Sequence, residues 1–273
     1  ALYVDYLNAF SGQVPHLEKQ WWGDGNPRPD DQSIKPFKVN FPKEVLDDLS
    51  RRLNNTLPFH PPLEGVGFEY GFNTKFLQTL LDFWRTKYSW KERQEFLNSL
   101  PQYTTEVQGL KIHYIHAKPK ITKGVHVMPL LLVHGWPGSV REFYEIIPLL
   151  TTQREGQNFV FEVIAPSIPG YGFSQATSRP GLGPAQVSVV FHSLMQRLGH
   201  KLYLAQGGDW GSLIVTLIAQ MYPESVSGLH INMAFAMPSP GMLVWQYIGS
   251  WYPSLIGDEI DQKFVYPMSD RYA

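Results

Sequence analysis

The chain has 273 residues, 43% of them hydrophobic and 17% charged, with 23 Gly and 22 Pro, a composition that suits a globular fold with a large core and many turns and excludes disorder, a fibre or a coiled coil. A net charge of -1 gives no field for holding phosphate backbones, so no nucleic-acid partner is expected. The absence of Cys removes disulfides, thiol nucleophiles and Cys-based metal centres together, and no apolar run reaches the roughly 18 residues that a spanning helix needs.

In chain order, residues 1–102 read as a meander with helices. The chain begins at Ala1 rather than at an initiator Met, which leaves room upstream for further residues, including a signal or a membrane anchor. WWGDGNPRPDDQSIKPF (21–37) mixes Gly, Pro and Asp with aromatics, as an ordered meander hugging a surface would. Pro42 opens a helix over PKEVLDDLSRRL with Val45, Leu46, Leu49 and Leu53 on one face. Two further helical patterns follow, NTKFLQTLLDFWRTKY and WKERQEFLNSL.

From residue 103 the period changes. TTEVQGLKIHYIHA alternates on both sides of Gln108-Gly109, which predicts a hairpin. MPLLLV (128–133) is a continuous apolar run, as in a strand buried on both faces. Ser139 and Glu142 are spaced as a capping box, and FVFEVIAP (159–166) is the next strand. Pro184 opens a helix whose Val187, Val190, Phe191, Leu194, Met195 and Leu198 share a stripe, ended by Gly199. LYLAQ, SLIVTLIAQMY and SGLHINM then read as strand, helix and strand. Strands alternating with helices predict an α/β fold whose sheet is mostly parallel and covered on both faces. The alternation fills 103–237, and a segment of different character, with Pro238, Pro240, Trp245, Trp251 and Pro253, occupies 238–273.

Two motifs bear on chemistry. Gly207-Gly208-Asp209-Trp210-Gly211 lies between a strand and a helix, and Gly207 and Gly211 stand two before and two after Asp209, where a sharp strand-to-helix turn needs small residues. This spacing is that of a nucleophile elbow with aspartate at its apex; Asp209 as a plain helix N-cap is the alternative. His134-Gly135-Trp136-Pro137-Gly138 follows the strand MPLLLV. In elbow hydrolases an oxyanion hole takes one backbone N–H from the residue after the nucleophile and one from a loop after an earlier strand, here Trp210 and Trp136. An ordinary Gly/Pro turn is the alternative for this loop.

The remaining candidates carry less. His192 lies off its helix's apolar stripe and is expected to face solvent. His113 and His116, three apart on a strand, point to opposite faces and do not resemble a metal site. His134 is expected to organise its loop, Asp30-Asp31 to be a solvated loop charge, and His230 to be structural, within a core strand. Gly207-Gly208 lacks the spacing of a phosphate cradle. No metal and no cofactor are expected.

HGWPGS (134–139), PSIPGYGFS (166–174), QGGDWGS (206–212) and LHINM (229–233) together make the sequence resemble epoxide hydrolases of the α/β-hydrolase superfamily, of the microsomal type that includes insect juvenile hormone epoxide hydrolases. Trp21-Trp22-Gly23 matches the tryptophan motif of that branch, which soluble epoxide hydrolases and haloalkane dehalogenases lack, and the resemblance covers essentially the whole chain. It implies an α/β-hydrolase core preceded by a meander with helices and followed by the start of a cap, or lid. It also implies hydrolysis of a small lipophilic epoxide, such as juvenile hormone or a foreign compound, to a diol without a cofactor. Asp209 would form an ester with an epoxide carbon, and the Trp136 and Trp210 N–H groups would hold the oxyanion while the ester is cleaved. Location at the endoplasmic reticulum membrane, through an N-terminal anchor outside this chain, goes with the same resemblance.

The chain departs from the family after the cap begins. The family's acid, histidine and pair of cap tyrosines match no residue here. Asp258, Glu259, Asp261 and Asp270 fit no acid position, and Tyr247, Tyr252, Tyr266 and Tyr272 come too early to be the ring-opening pair. The expectation is that the sequence is part of a longer protein and lacks the last strands of its sheet. A truncated relative that binds apolar ligands without turnover, and a haloalkane dehalogenase-like enzyme sharing the Asp-Trp elbow, are the other readings.

Overall fold

The computed structural model describes residues 14–120, 124–234 and 240–255. These fall in two compact units, Ala1–Met233 and Ala234–Ala273.

The first unit is built on one seven-stranded sheet. Its strands are β1 (Lys35–Phe37), β2 (Gln102–Val107), β3 (Leu110–Ala117), β4 (His126–Val133), β5 (Phe159–Pro166), β6 (Tyr203–Gly207) and β7 (Val226–Ile231), in the order β1-β2-β3-β5-β4-β6-β7. β5, β4, β6 and β7 pair in parallel, while β1, β2 and β3 join antiparallel. The parallel half is the part in which strands and helices alternate in the sequence. It follows the rule that a parallel pair needs a crossover connection whereas an antiparallel pair can close through a tight turn.

The apolar run of β4 is divided by the pleat. Leu131 and Val133 point to one face, where they join Ile112, Tyr114 and Ile164 beneath helices α5 (Pro184–Arg197) and α6 (Trp210–Met221). Leu130 and Leu132 point to the other, where they meet Val163, Ala165, Tyr144 and Ile147, the last on α4 (Ile146–Leu150). Burial on both faces is why this strand reads as continuous rather than alternating. On the second face an open cavity of about 660 Å³ remains, lined by Leu130, Leu132, Ile146, Leu204, Leu229 and His230 among others. His230 is exposed, because it lines this open cavity on β7, a strand paired only with β6 among the described residues; the expectation of a structural histidine inside a core strand is corrected accordingly.

The N-terminal segment is tied into this unit more closely than a surface meander would be. Trp22 is part of the main core, and Lys35–Phe37 adds a strand to the sheet. Asp30 is not a solvated loop charge. Its carboxylate accepts from the backbone N–H groups of Gln108 and Gly109, at 2.8 Å each, and so anchors the β2–β3 turn, in which both residues have positive φ. Asp31, by contrast, is exposed and bonds to Lys35 and Ser33.

Helices α1 (Lys43–Asn54), α2 (Thr74–Thr86) and α3 (Trp90–Leu97) confirm the three N-terminal patterns, with Pro42 at the N-cap of α1. α1 and α2 bury no residue fully, and Phe76, Leu80, Phe83 and Trp84 of α2 remain exposed. His192, on α5, is another correction. Its ring stacks on Tyr222 at 3.7 Å and its Nδ1 bonds the Tyr203 hydroxyl at 2.9 Å, because helix α6 ends against α5 at that point. The second unit contains α7 (Pro240–Trp251) and a 3-10 turn, Pro253–Leu255. Asp258, Glu259, Asp261, Asp270, Tyr266 and Tyr272 lie outside the described residues.

Candidate active site

β4 and β6 are parallel neighbours, with Val133 beside Gly207 at their C-terminal ends. This register brings together the two loops that the sequence motifs occupy. Beyond Gly207 the chain reverses sharply at Asp209, whose φ of 52° and ψ of -125° lie in a region that non-glycine residues seldom adopt. A Cβ on Gly207 would strike the backbone of Gly211, and one on Gly211 would strike the Val133 carbonyl. Both glycines are therefore required by close backbone approach, one within the turn and one between turn and sheet.

Asp209 occupies the N-cap position of α6, but its side chain makes no capping hydrogen bond. Its Oδ1 instead accepts from the backbone N–H of Trp136 at 2.7 Å, across the gap between the two loops. The plain-cap reading thus loses its physical basis. The loop containing Trp136 includes a cis peptide bond between Trp136 and Pro137. Gly135 lies directly under the carboxylate, since a Cβ there would meet Asp209 Oδ1, Cβ and Cγ. The Trp136 and Trp210 side chains are both largely exposed, at 66% and 46%, while Trp210 begins α6.

His134 is fully buried and acts as a brace. One ring nitrogen bonds the Gly135 carbonyl at 3.0 Å, and the other accepts from the Ile168 N–H at 3.1 Å. Burial lowers its pKa, against a smaller opposing effect from the bond to Gly135, which keeps it neutral and able to accept from Ile168.

Asp209 opens into a cavity of about 540 Å³ lined by Gly135, Trp136, Gly138, Glu142, Asn232 and Met233 among others. Glu142 was identifiable in the sequence only as half of a capping box. That box is present, with Ser139 N–H donating to Glu142 Oε1 at 3.2 Å, and it also holds the carboxyl facing the cavity. Partial burial chiefly, and the nearby Asp209 charge, raise the Glu142 pKa, while the bond from Ser139 opposes them. Asn232, which packs over Gly208, was likewise missed; its position beside the elbow comes from the β6–β7 pairing and has no local sequence signal. No histidine lines this cavity among the described residues.

A strained turn presenting an unprotected carboxylate, with a backbone N–H already on one oxygen, can act as a nucleophile and can hold the charge that develops when the resulting ester is cleaved. Comparison with known proteins bears on the chain as a whole. The alpha/beta hydrolase fold family model matches residues 128–272, more than half the chain. The chain belongs to the alpha/beta hydrolase fold family. A second model, the epoxide hydrolase N terminus, matches residues 34–143. The chain is 50% identical over 252 residues to juvenile hormone epoxide hydrolase 1 of Ctenocephalides felis, covering 92% of this chain and 54% of that protein. It is 44% identical to epoxide hydrolase 1 of Oryctolagus cuniculus, covering 93% and 57%. The crystal structure of juvenile hormone epoxide hydrolase from Bombyx mori superposes with a TM-score of 0.84 at 48% identity, over 93% of this chain and 60% of that one. The chain therefore spans little more than half the length of these relatives.

Proposed function

We propose that this chain carries the ester-forming half of an epoxide hydrolase for lipophilic epoxides. The observation that carries the reading is the Asp209 carboxylate held at the elbow with the Trp136 N–H on Oδ1. Oδ1 is thereby assigned as the oxygen that stays in the donor site, leaving Oδ2 to attack. In the first step Oδ2 bonds to an epoxide carbon, the carbon–oxygen bond of the ring breaks, and the departing oxygen takes a proton from a donor. The product is an alkyl ester of Asp209. In the second step a base takes a proton from a water as its oxygen bonds to the ester carbonyl carbon, and the negative charge collects on Oδ1 between the Trp136 and Trp210 N–H groups; the Cγ–Oδ2 bond then breaks, Oδ2 leaves in the diol with that proton, and the new carboxyl ionises to restore Asp209.

The exposed indole of Trp136, with Pro137 and Met233 in the same lining, gives the site an apolar character that favours bulky lipophilic substrates. The relatives' names put juvenile hormone among the candidates; they also support an epoxide over the halide that a dehalogenase would take. Location at the endoplasmic reticulum membrane remains part of the proposal through the microsomal-type resemblance; no helix among the described residues is long and apolar enough to cross a membrane.

The direct test is Asp209→Asn in the complete protein. The amide preserves shape but is a poor nucleophile, so single-turnover mixing with a lipophilic epoxide is expected to give no ester on the peptide containing residue 209 and only residual diol. Freshly prepared variant must be used, because an Asn at such a turn can hydrolyse back to Asp. Turnover near that of the unmodified enzyme would remove Asp209 from the role.

A further inference from the structure

At the end of the sheet away from Asp209, side chains from three separate elements converge. β3 runs antiparallel to β5, with His116 beside Ile164 and Ala117 beside Val163, so the C-terminal end of β3 meets the early part of β5 that carries Glu162. His200 enters from the turn between α5 and β6. His116 Nε2 is 2.6 Å and His200 Nε2 is 3.7 Å from the same oxygen, Glu162 Oε1, and one ligand atom from each residue lies within 4.8 Å of the other two. The three side chains are only 10%, 13% and 15% exposed for His116, His200 and Glu162. His200 Nε2 is buried without a hydrogen-bond partner, an expensive condition for a polar atom unless a water or a cation completes it.

We propose that His116, Glu162 and His200 form a binding site for one divalent transition-metal ion of the zinc class, ligated through the two Nε2 atoms and Glu162 Oε1. Two imidazoles and a carboxylate are a favoured donor set for zinc. With metal–ligand distances near 2.0–2.1 Å, donor atoms in a tetrahedral site stand about 3.3 Å apart. The two separations from Glu162 Oε1, 2.6 and 3.7 Å, fall on either side of that value, so one pair needs to open by about 0.7 Å and the other to close by about 0.4 Å, with all three ligand atoms within 4.8 Å of one another.

The competing cation is Lys118, with Nζ 3.7 Å from Glu162 Oε1, but its side chain is 69% exposed and free to turn into water. The Tyr103 and Tyr114 rings flank His116 at 6.2 Å and close the apolar side. Three protein ligands leave a fourth position for water. Because the site ties together β3, β5 and the turn before β6, an ion bound there stabilises the native chain over the unfolded one. This inference is independent of the epoxide chemistry at Asp209.

The test uses the full-length protein stripped with a chelator and titrated with zinc, with cobalt as a coloured substitute. One saturable equivalent is expected, with a visible cobalt spectrum of nitrogen and oxygen ligation and a thermal midpoint that rises with zinc. His116→Ala and His200→Ala should each weaken zinc binding by at least the roughly 10- to 100-fold that loss of even an outer-shell partner costs. His192→Ala, outside the cluster, should leave it unchanged. Should His116→Ala fail to fold, His200→Ala carries the comparison, because its Nε2 makes no hydrogen bond that the substitution would remove. Absence of saturable binding, or binding of equal affinity in His200→Ala, overturns the site.

Discussion

At Asp209 the chain accepts an unfavourable backbone conformation and leaves the side chain without its own helix's amides, and both features make sense only if the carboxylate is wanted elsewhere. The surrounding glycines show where. Gly135 has no barrier of backbone conformation against alanine, since its φ is not in the left-handed region, yet a Cβ there would collide with the Asp209 carboxylate. Gly135→Ala is therefore expected to displace the proposed nucleophile and reduce ester formation far more than it reduces stability, as read by single-turnover mass spectrometry beside a urea titration. Gly211 differs, because its neighbour is the Val133 carbonyl of a central strand, which cannot move without disturbing the sheet. Gly211→Val should lose activity and also cost about 1 to 3 kcal/mol of stability, as overpacking commonly does. Unchanged stability and activity in that variant would return Asp209 to the role of a helix cap.

Among the elements, the junction of β2, β3 and the chain after β5 is held by a wholly buried histidine. His113 bonds Gln102 Oε1 through Nε2 and the Ser167 hydroxyl through Nδ1, each at 2.9 Å. Gln102 spends its amide nitrogen on the Leu97 carbonyl at 2.5 Å, so its oxygen must accept and His113 Nε2–H must donate; the Ser167 hydroxyl then donates to Nδ1. Burial, with a smaller push from Lys111, lowers the His113 pKa to about 4. Between that value and about 6.5 the unfolded chain takes up a proton that the native one refuses, so stability falls as pH falls through this window, by on the order of 3 kcal/mol in full. Urea midpoints measured at pH 7 and pH 4.5 should accordingly drop more for the unmodified protein than for His113→Gln, which has no ring to protonate. Equal drops would show that His113 does not contribute to the acid sensitivity.

The same junction shows what the sequence could and could not reveal. The hairpin, the buried strands and the helices that follow them were legible because each carries its own period and its own stop signals, and Asp209 with Gly207 and Gly211 was legible because an elbow is a local spacing. Lys35–Phe37 was not, since a three-residue strand containing Pro has no pattern of its own and is made by pairing with β2. Glu142 beside Asp209, the stacking of His192 on Tyr222, and His116 with Glu162 and His200 are all meetings of distant segments. Strand order creates them, and strand order is not written in any one window of residues.

For the whole molecule, the proposed function implies an imbalance between the two chemical steps. Ester formation uses the Asp209 carboxylate and a donor to the ring oxygen, whereas ester hydrolysis also requires a base to activate water. The cavity at Asp209 contains no histidine among the described residues, His134 is committed to Gly135 and Ile168, and His230 lines a neighbouring cavity, which shares Glu142 with that of Asp209 but does not include Asp209 itself. We therefore expect residues 1 to 273, made alone and soluble, to stop at one stoichiometric adduct when mixed with a lipophilic epoxide. Mass spectrometry should find a single added substrate mass, located on the peptide containing Asp209 and absent from Asp209→Asn, with no sustained diol release. The exposed face of β7 and the apolar cavity beside it make solubility of that piece the first thing to establish, by sedimentation. A soluble, folded piece that releases many diols per chain would refute the division of labour and direct the search for a base to Glu142, the one carboxyl that shares the cavity with Asp209 among the described residues and whose pKa is raised.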